Sequence, residues 1–196
     1  MSSVIIQELK RKTTHFTILL LIIAFIVIKD SYNQNSALLT LVGVLMIFLT
    51  LEYFRLDLNW KIPGFSHFMK AREQDRVHSA VYFLCATIIC LAVFDFKIAL
   101  TALLMTIFGD MIAAMVGKKF GTTLLFRNKT AIGTLSELVI NLLIGIVILM
   151  GTYQAYIIIS MAFTATIIET LVDELDDNLL TPLFAGFIGQ IITFLI

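Results

Sequence analysis

Seven apolar runs, each separated from the next by polar residues, constrain this chain more than any other feature. They cover residues 14–28, 37–54, 77–94, 98–116, 132–150, 155–172 and 179–196. A helix needs about 20 apolar residues to cross the hydrocarbon core of a bilayer. Several runs fall slightly short, so interfacial residues must complete them. The 196 residues are 59% apolar, above the roughly 45–50% of a soluble domain. The expected fold is all-α: a polytopic membrane helix bundle of about seven transmembrane helices, forming one domain over 14–196. Residues 1–13 are polar with Val4, Ile5 and Leu9 interspersed, and read as an interfacial N-terminal helix. Lys10-Arg11-Lys12 before a short apolar run resembles the start of a signal peptide. No clear small-x-small cleavage site follows, so the first run is read as a span.

Net charge is zero, yet the charges are unevenly placed. Lys10, Arg11 and Lys12 precede the first run. Arg55, Lys61, Lys70, Arg72 and Arg76 fill the second connection, and Lys118, Lys119, Arg127 and Lys129 the fourth. Twelve of the fourteen Lys and Arg residues thus fall on one side of a seven-span topology, leaving only Lys29 and Lys97 opposite. Cytoplasmic loops carry the excess of Lys and Arg. The N-terminus and the longer connections are therefore expected in the cytoplasm, with the C-terminus outside. Loops tend to carry function, so a site is expected at the cytoplasmic face of an integral, multi-pass membrane protein. Cys85 and Cys90 lie five apart in an apolar run without metal spacing, and read as small buried hydrophobes.

The chemistry-bearing residues gather in two stretches. The first is 108–137. Asp110 sits inside an apolar run with Ala113, Ala114 and Gly117 on its helical face. An ionisable residue at that depth is costly and marks a functional site by default, the alternative being a structural polar network. Lys118, Lys119, Arg127 and Lys129 are explained by topology alone. Gly117, Gly121, Thr130 and Gly133 beside them suggest a turn whose backbone N–H groups and lysines could hold phosphate, although the spacing is not that of a Walker A loop. Thr130, Gly133 or Thr134, Glu137, Asn141 and Gly145 form a polar and small stripe that should face the bundle interior. The second stretch is 166–178. Glu169 shares a face with Thr166 and Asp173, and the acidic run ends in Asp177-Asn178. Hard oxygen ligands of this kind suit Mg²⁺, which usually takes one or two carboxylates plus substrate phosphates. His15, His67 and His78 share no ligand spacing; His15 could extend the basic face of Arg11 and Lys12.

Phe108-Gly109-Asp110 with Gly117-Lys118-Lys119-Phe120-Gly121 and Lys129-Thr130-x-x-Gly133 resembles the signature of the CTP-dependent lipid kinases, which include dolichol, phytol and yeast-type diacylglycerol kinases. Glu8-x-x-Arg11-Lys12-x-x-His15, Arg72-x-x-x-Arg76-x-x-Ser79-Ala80 and Glu169-Thr170 with Asp177-Asn178-x-x-x-Pro182 extend the resemblance over most of the chain. Ser79 stands where Gly is expected, and Thr134 where many members have Ser. The resemblance implies transfer of the γ-phosphate of CTP to the hydroxyl of a membrane lipid alcohol, an isoprenoid alcohol or diacylglycerol, with Mg²⁺ and no nucleic acid. It assigns catalysis to Asp110, Glu137, Glu169 and Asp177, and metal to Asp110 and Glu169. Nucleotide binding falls to Arg11, Lys12, Gly117, Lys118, Lys119, Gly121, Lys129, Thr130, Gly133 and Asn178. A cytidylyltransferase acting on a phosphorylated lipid is the rival enzyme, but the Lys-Asp, paired-Gly and Asp-Arg-x-Asp run of those synthases is missing. A small ion-coupled transporter is the rival of another class. It would use Asp110, Glu137 and Glu169 as an ion path, but the chain shows no internal repeat of the kind such proteins carry.

Overall fold

The computed structural model describes residues 13–57, 77–126, 129–172 and 176–195. The proposed interfacial helix 1–13, except Thr13, lies outside these, as do Arg11, Lys12, Arg127, His67 and the charges of 58–76. Among the described residues are seven helices: α1 (Thr13–Ser31), α2 (Gln34–Leu56), α3 (Ser79–Val93), α4 (Phe96–Phe120), α5 (Ala131–Leu149), α6 (Ala155–Leu171) and α7 (Asp177–Leu195). Each matches one expected apolar run. Four of them, α2, α4, α5 and α7, are long and apolar enough to cross a membrane; α3 and α6 are shorter apolar helices. Many of their large apolar side chains face outward, as at Leu39 and Val147, which suits a lipid surround.

Threonine shows how these helices tolerate polar residues. Thr40, Thr50, Thr87, Thr101, Thr106, Thr170 and Thr193 each donate the side-chain hydroxyl to the carbonyl four residues back. The hydroxyl is thereby satisfied inside its own helix, which removes the desolvation penalty a bare O–H would carry in hydrocarbon.

The chain forms two compact units that divide at Ile88/Ile89. In the first, α1 packs on α2, with Ile18, Ile22, Phe25, Ala37 and Leu41 buried. Asn33 caps α2 by accepting the Ser36 N–H at 2.8 Å. His15 is buried and sets its ring edge-on to Phe83, 5.6 Å between centroids; Arg11 and Lys12, whose basic face it was expected to extend, lie outside the described residues. Glu52, in an apolar run, is buried and pairs with Arg55 at 2.6 Å. It also accepts the His78 N–H at 3.1 Å, tying the end of α2 to the start of α3. Sequence reading passed over this pair; the Glu-x-x-Arg spacing, one helical turn, was the available signal.

The second unit is built around α4, which packs against α5, α6 and α7. Ile98, Ala102, Met105, Leu149, Ile157, Ile158, Met161, Ala162, Ala165 and Ala185 form its core. Small residues bring the backbones close: a Cβ on Gly145 would stand 2.6 Å from Ile158 Cγ2, and one on Gly189 2.6 Å from Met161 Sδ. This is how apolar helices associate where no hydrophobic force separates them from lipid. At one end of the unit, Gln190 accepts the Asp95 N–H at 2.7 Å and donates to its carboxylate at 3.3 Å. Lys97 reaches Thr152 at 2.7 Å in the same region. Burial and the adjacent Asp95 push the Tyr153 hydroxyl above its ordinary pKa. Gln190 is a latch for this end.

Candidate functional site

At the other end of the second unit, α4 does not stop at residue 116. It continues to Phe120, so Gly117 lies inside the helix and its backbone belongs to the helical ladder. The expected glycine-rich turn is thus not formed at Gly117, and Gly121 follows the helix with φ −74° and ψ 114°, open to any residue. These glycines are needed for another reason. A Cβ on Gly117 would stand 2.7 Å from Thr130 Oγ1, and one on Gly133 2.9 Å from both the Ala113 carbonyl and Thr130 Oγ1. A Cβ on Gly121 would meet Thr130 Cβ at 2.7 Å. The glycines let α4 and α5 touch backbone to backbone. Thr130 caps α5 by accepting the Gly133 N–H at 3.2 Å, so the first turn of that helix is already partly satisfied.

Between α4 and α5 the chain makes a two-stranded hairpin that the sequence did not reveal, β1 (Leu124–Phe126) against β2 (Lys129–Thr130). Its return strand delivers Lys129 to the end of α6. Lys129 Nζ donates to Glu169 Oε1 at 2.6 Å and to the Glu169 carbonyl at 2.5 Å. The Glu169 side chain is 3% exposed and that of Lys129 32%. Glu169 Oε2 accepts from the Thr181 hydroxyl at 3.4 Å, which brings α7 into the cluster. Thr181 was missed in sequence; it follows Asp177 by four residues on the same helical face. Burial acts against the Lys129 ammonium, but the carboxylates of Glu169, Asp177 and Asp110 outweigh it and hold its pKa above the ordinary lysine value. Glu137 stands in the field of the same four groups. Glu169 is thus in contact with Lys129, and Asp110, Glu137 and Asp177 lie within electrostatic range of that pair.

Asn178 is buried at the start of α7. Its backbone N–H reaches Asp176 and Asp177 Oδ1, both at 3.0 Å. Its amide also donates to Asp176 Oδ1 at 3.0 Å and Asp177 Oδ1 at 3.2 Å. Asn178 thus organises the acidic turn. Pro182 inside α7 has no N–H to return to the Asn178 carbonyl. Lys118 and Lys119 are exposed at the end of α4, with Lys119 Nζ 4.9 Å from the Phe120 ring centre.

One face of α5 holds the least satisfied groups. Glu137 and Asn141 are buried, and Thr134 Oγ1, Glu137 Oε2 and Asn141 Oδ1 have no hydrogen-bond partner among the described residues. Asn141 spends its amide on Thr166 Oγ1 at 3.1 Å. A Cβ on Gly109 would stand 2.7 Å from Asn141 Oδ1 and 3.2 Å from Glu137 Cγ, so the glycine before Asp110 makes room for this stripe. Each unsatisfied buried group costs roughly 1–3 kcal/mol. Hard, unpartnered oxygens in an acidic field suit a cation in their chemistry. Among the described residues, no three His, Cys, Asp or Glu side chains stand together as a metal cage. Two or three protein oxygens are as many as Mg²⁺ usually takes, the rest of its shell being water or phosphate. Glu169 is the weaker of the two expected metal ligands, because Lys129 and Thr181 already occupy its oxygens. The chain matches no family model, no curated protein and no solved structure.

Proposed function

We propose that this chain is a CTP-dependent lipid kinase that phosphorylates the hydroxyl of a membrane lipid alcohol, an isoprenoid alcohol first and diacylglycerol second. The observation that supports the reading is the Lys129–Glu169 pair, whose carboxylate is buried, with Asp110, Glu137 and Asp177 within electrostatic range of it at one end of a helical unit. Phosphoryl transfer needs little covalent help from protein; it needs positioning and stabilisation of charge. Lys129 supplies positive charge for a phosphate, and Glu169 and Thr181 hold its position. Asp110 and Glu137 are the groups to hold Mg²⁺, which when bound offsets the charge of the triphosphate. Were Mg²⁺ held by Asp110 without Glu137, Glu137 Oε2, which has no hydrogen-bond partner among the described residues, would instead accept the proton of the lipid hydroxyl. Arg11 and Lys12 are the candidates for the outer phosphates, and Asn178 for the nucleotide.

The topology belongs to the same proposal. All seven helices span the membrane, with the N-terminus and the 118–130 connection in the cytoplasm, because twelve of the fourteen cations then share that side. The test uses purified protein, CTP, Mg²⁺ and a panel of lipid alcohols and lipid phosphates. Release of CDP with formation of lipid phosphate from an alcohol supports the kinase. Release of pyrophosphate with a lipid phosphate identifies a cytidylyltransferase, and absence of both with every lipid removes the enzyme reading.

A further inference from the structure

The hairpin between α4 and α5 carries apolar residues that the site does not use. Leu124 is 65% exposed, Leu125 57% and Phe126 39%, and Phe120 just before them is 55% exposed. The register shifts between Leu124 and Phe126, and all three residues of β1 offer large apolar side chains outward. A two-stranded hairpin in water would bury one face or carry polar residues on it. Here α4 and α5, the helices it joins, are each long and apolar enough to cross a membrane, so the hairpin stands at the bilayer boundary. It does not enter the hydrocarbon core. A two-stranded sheet has outer-edge N–H and C=O groups that only water or headgroups satisfy.

Charge fixes which surface it meets. Lys118 and Lys119 occupy the last turn of α4 at the base of the hairpin, and both are exposed. Lys119 lies over the Phe120 ring, pairing a cation with an apolar plate as interfacial anchors do. Apolar side chains flanked by lysines suit an anionic headgroup layer. The same hairpin is joined to the site. Phe126 pairs with Lys129 across the ladder, and Leu124 with Thr130. The Ala131 N–H donates to the Thr123 carbonyl at 3.0 Å. What holds β1 thus positions the strand that holds Lys129 on Glu169.

We propose that strand β1 is a membrane-surface anchor: Leu124, Leu125 and Phe126 insert among the headgroups of an anionic leaflet, Lys118 and Lys119 meet the lipid phosphates, and the seated strand, through its pairing with β2, fixes Lys129 against Glu169. The anchor does not require the phosphoryl-transfer reading. It separates Lys118 and Lys119, which face lipid, from Lys129, which faces the site.

The experiment places a fluorescent reporter in the hairpin of the full chain. Trp60 is the only tryptophan, so Trp60→Phe with Leu125→Trp gives one reporter, and Trp60→Phe with Phe126→Trp a second should the first fail to fold. Each is reconstituted in nanodiscs of phosphatidylcholine, with or without phosphatidylglycerol, containing lipids brominated near the headgroup end of the chain. Blue-shifted emission quenched by the brominated lipid, and more strongly with phosphatidylglycerol, is the expected result. Lys118→Gln with Lys119→Gln should lower the anionic-lipid increment in the seated population by roughly fivefold per lysine. Water-like, unquenched emission in both reporters overturns the anchor. So does quenching indifferent to phosphatidylglycerol, or an unchanged increment in the double glutamine variant.

Discussion

Lys129→Met tests whether the ion pair at the heart of the site is what holds α5, α6 and the hairpin together. Exposed ion pairs contribute about 0–1 kcal/mol, whereas removing one partner of a fully buried pair costs roughly 3–5 kcal/mol. This pair lies between: its carboxylate is 3% exposed and its lysine side chain 32%. Lys129 also makes a second bond, to the Glu169 carbonyl. The expected loss is therefore about 3 kcal/mol, the low end of the buried range. Glu169→Gln keeps shape and hydrogen-bonding capacity, and should cost about 1–2 kcal/mol. In the double variant no carboxylate is left bare, so the losses should not add; a coupling of about 2 kcal/mol is expected. Unfolding in mixed micelles, followed by helical circular dichroism, measures all four corners of the cycle. Additive losses would show that the contact contributes nothing specific and refute the reasoning.

Other predictions follow from the same geometry. The folded-state pKa of Lys129 lies above its ordinary value, so its contribution is complete at neutral pH and is lost only as pH rises through the raised value; the stability gap between the wild-type chain and Lys129→Met should close only in strongly alkaline solution. Gly133→Ala forces a methyl against the Ala113 carbonyl and Thr130 and should cost about 1–3 kcal/mol in the same unfolding assay. Gly43→Ala, where nothing stands within 4 Å, should be neutral or slightly stabilising. Glu137→Gln replaces a buried carboxylate with an unpartnered oxygen, and should unfold at equal or higher denaturant while phosphoryl transfer falls; a loss of both would make Glu137 a structural residue.

Much of this unit was legible in one dimension. Apolar run length located every described helix to within a few residues, because lipid-exposed helices carry their environment in their composition. Asp110, Glu137 and Glu169 stood out because charge within such runs is costly. What escaped depends on tertiary contact. Gly117 and Gly133 looked like phosphate-loop glycines, yet the first lies within α4 and the second within α5, where the two helices touch. Four cations lay in one connection, and nothing local distinguished Lys129, whose partner lies forty residues on. The hairpin was hidden by its shortness, and Thr181 by its ordinariness in a helix where threonines usually bond their own backbone. Glu52 was overlooked because Arg55 neutralises it one turn away.

The central claim is that the Lys129–Glu169 pair and the carboxylates within electrostatic range of it form a phosphoryl-transfer site, and Glu137→Gln offers its sharpest measurement. With CTP labelled at the γ-phosphate, Mg²⁺ and a lipid alcohol, the wild-type chain should carry label into lipid. Folded Glu137→Gln should do so at least about a hundredfold more slowly. Equal transfer by the two proteins, or no labelled lipid from the wild type, would contradict the account.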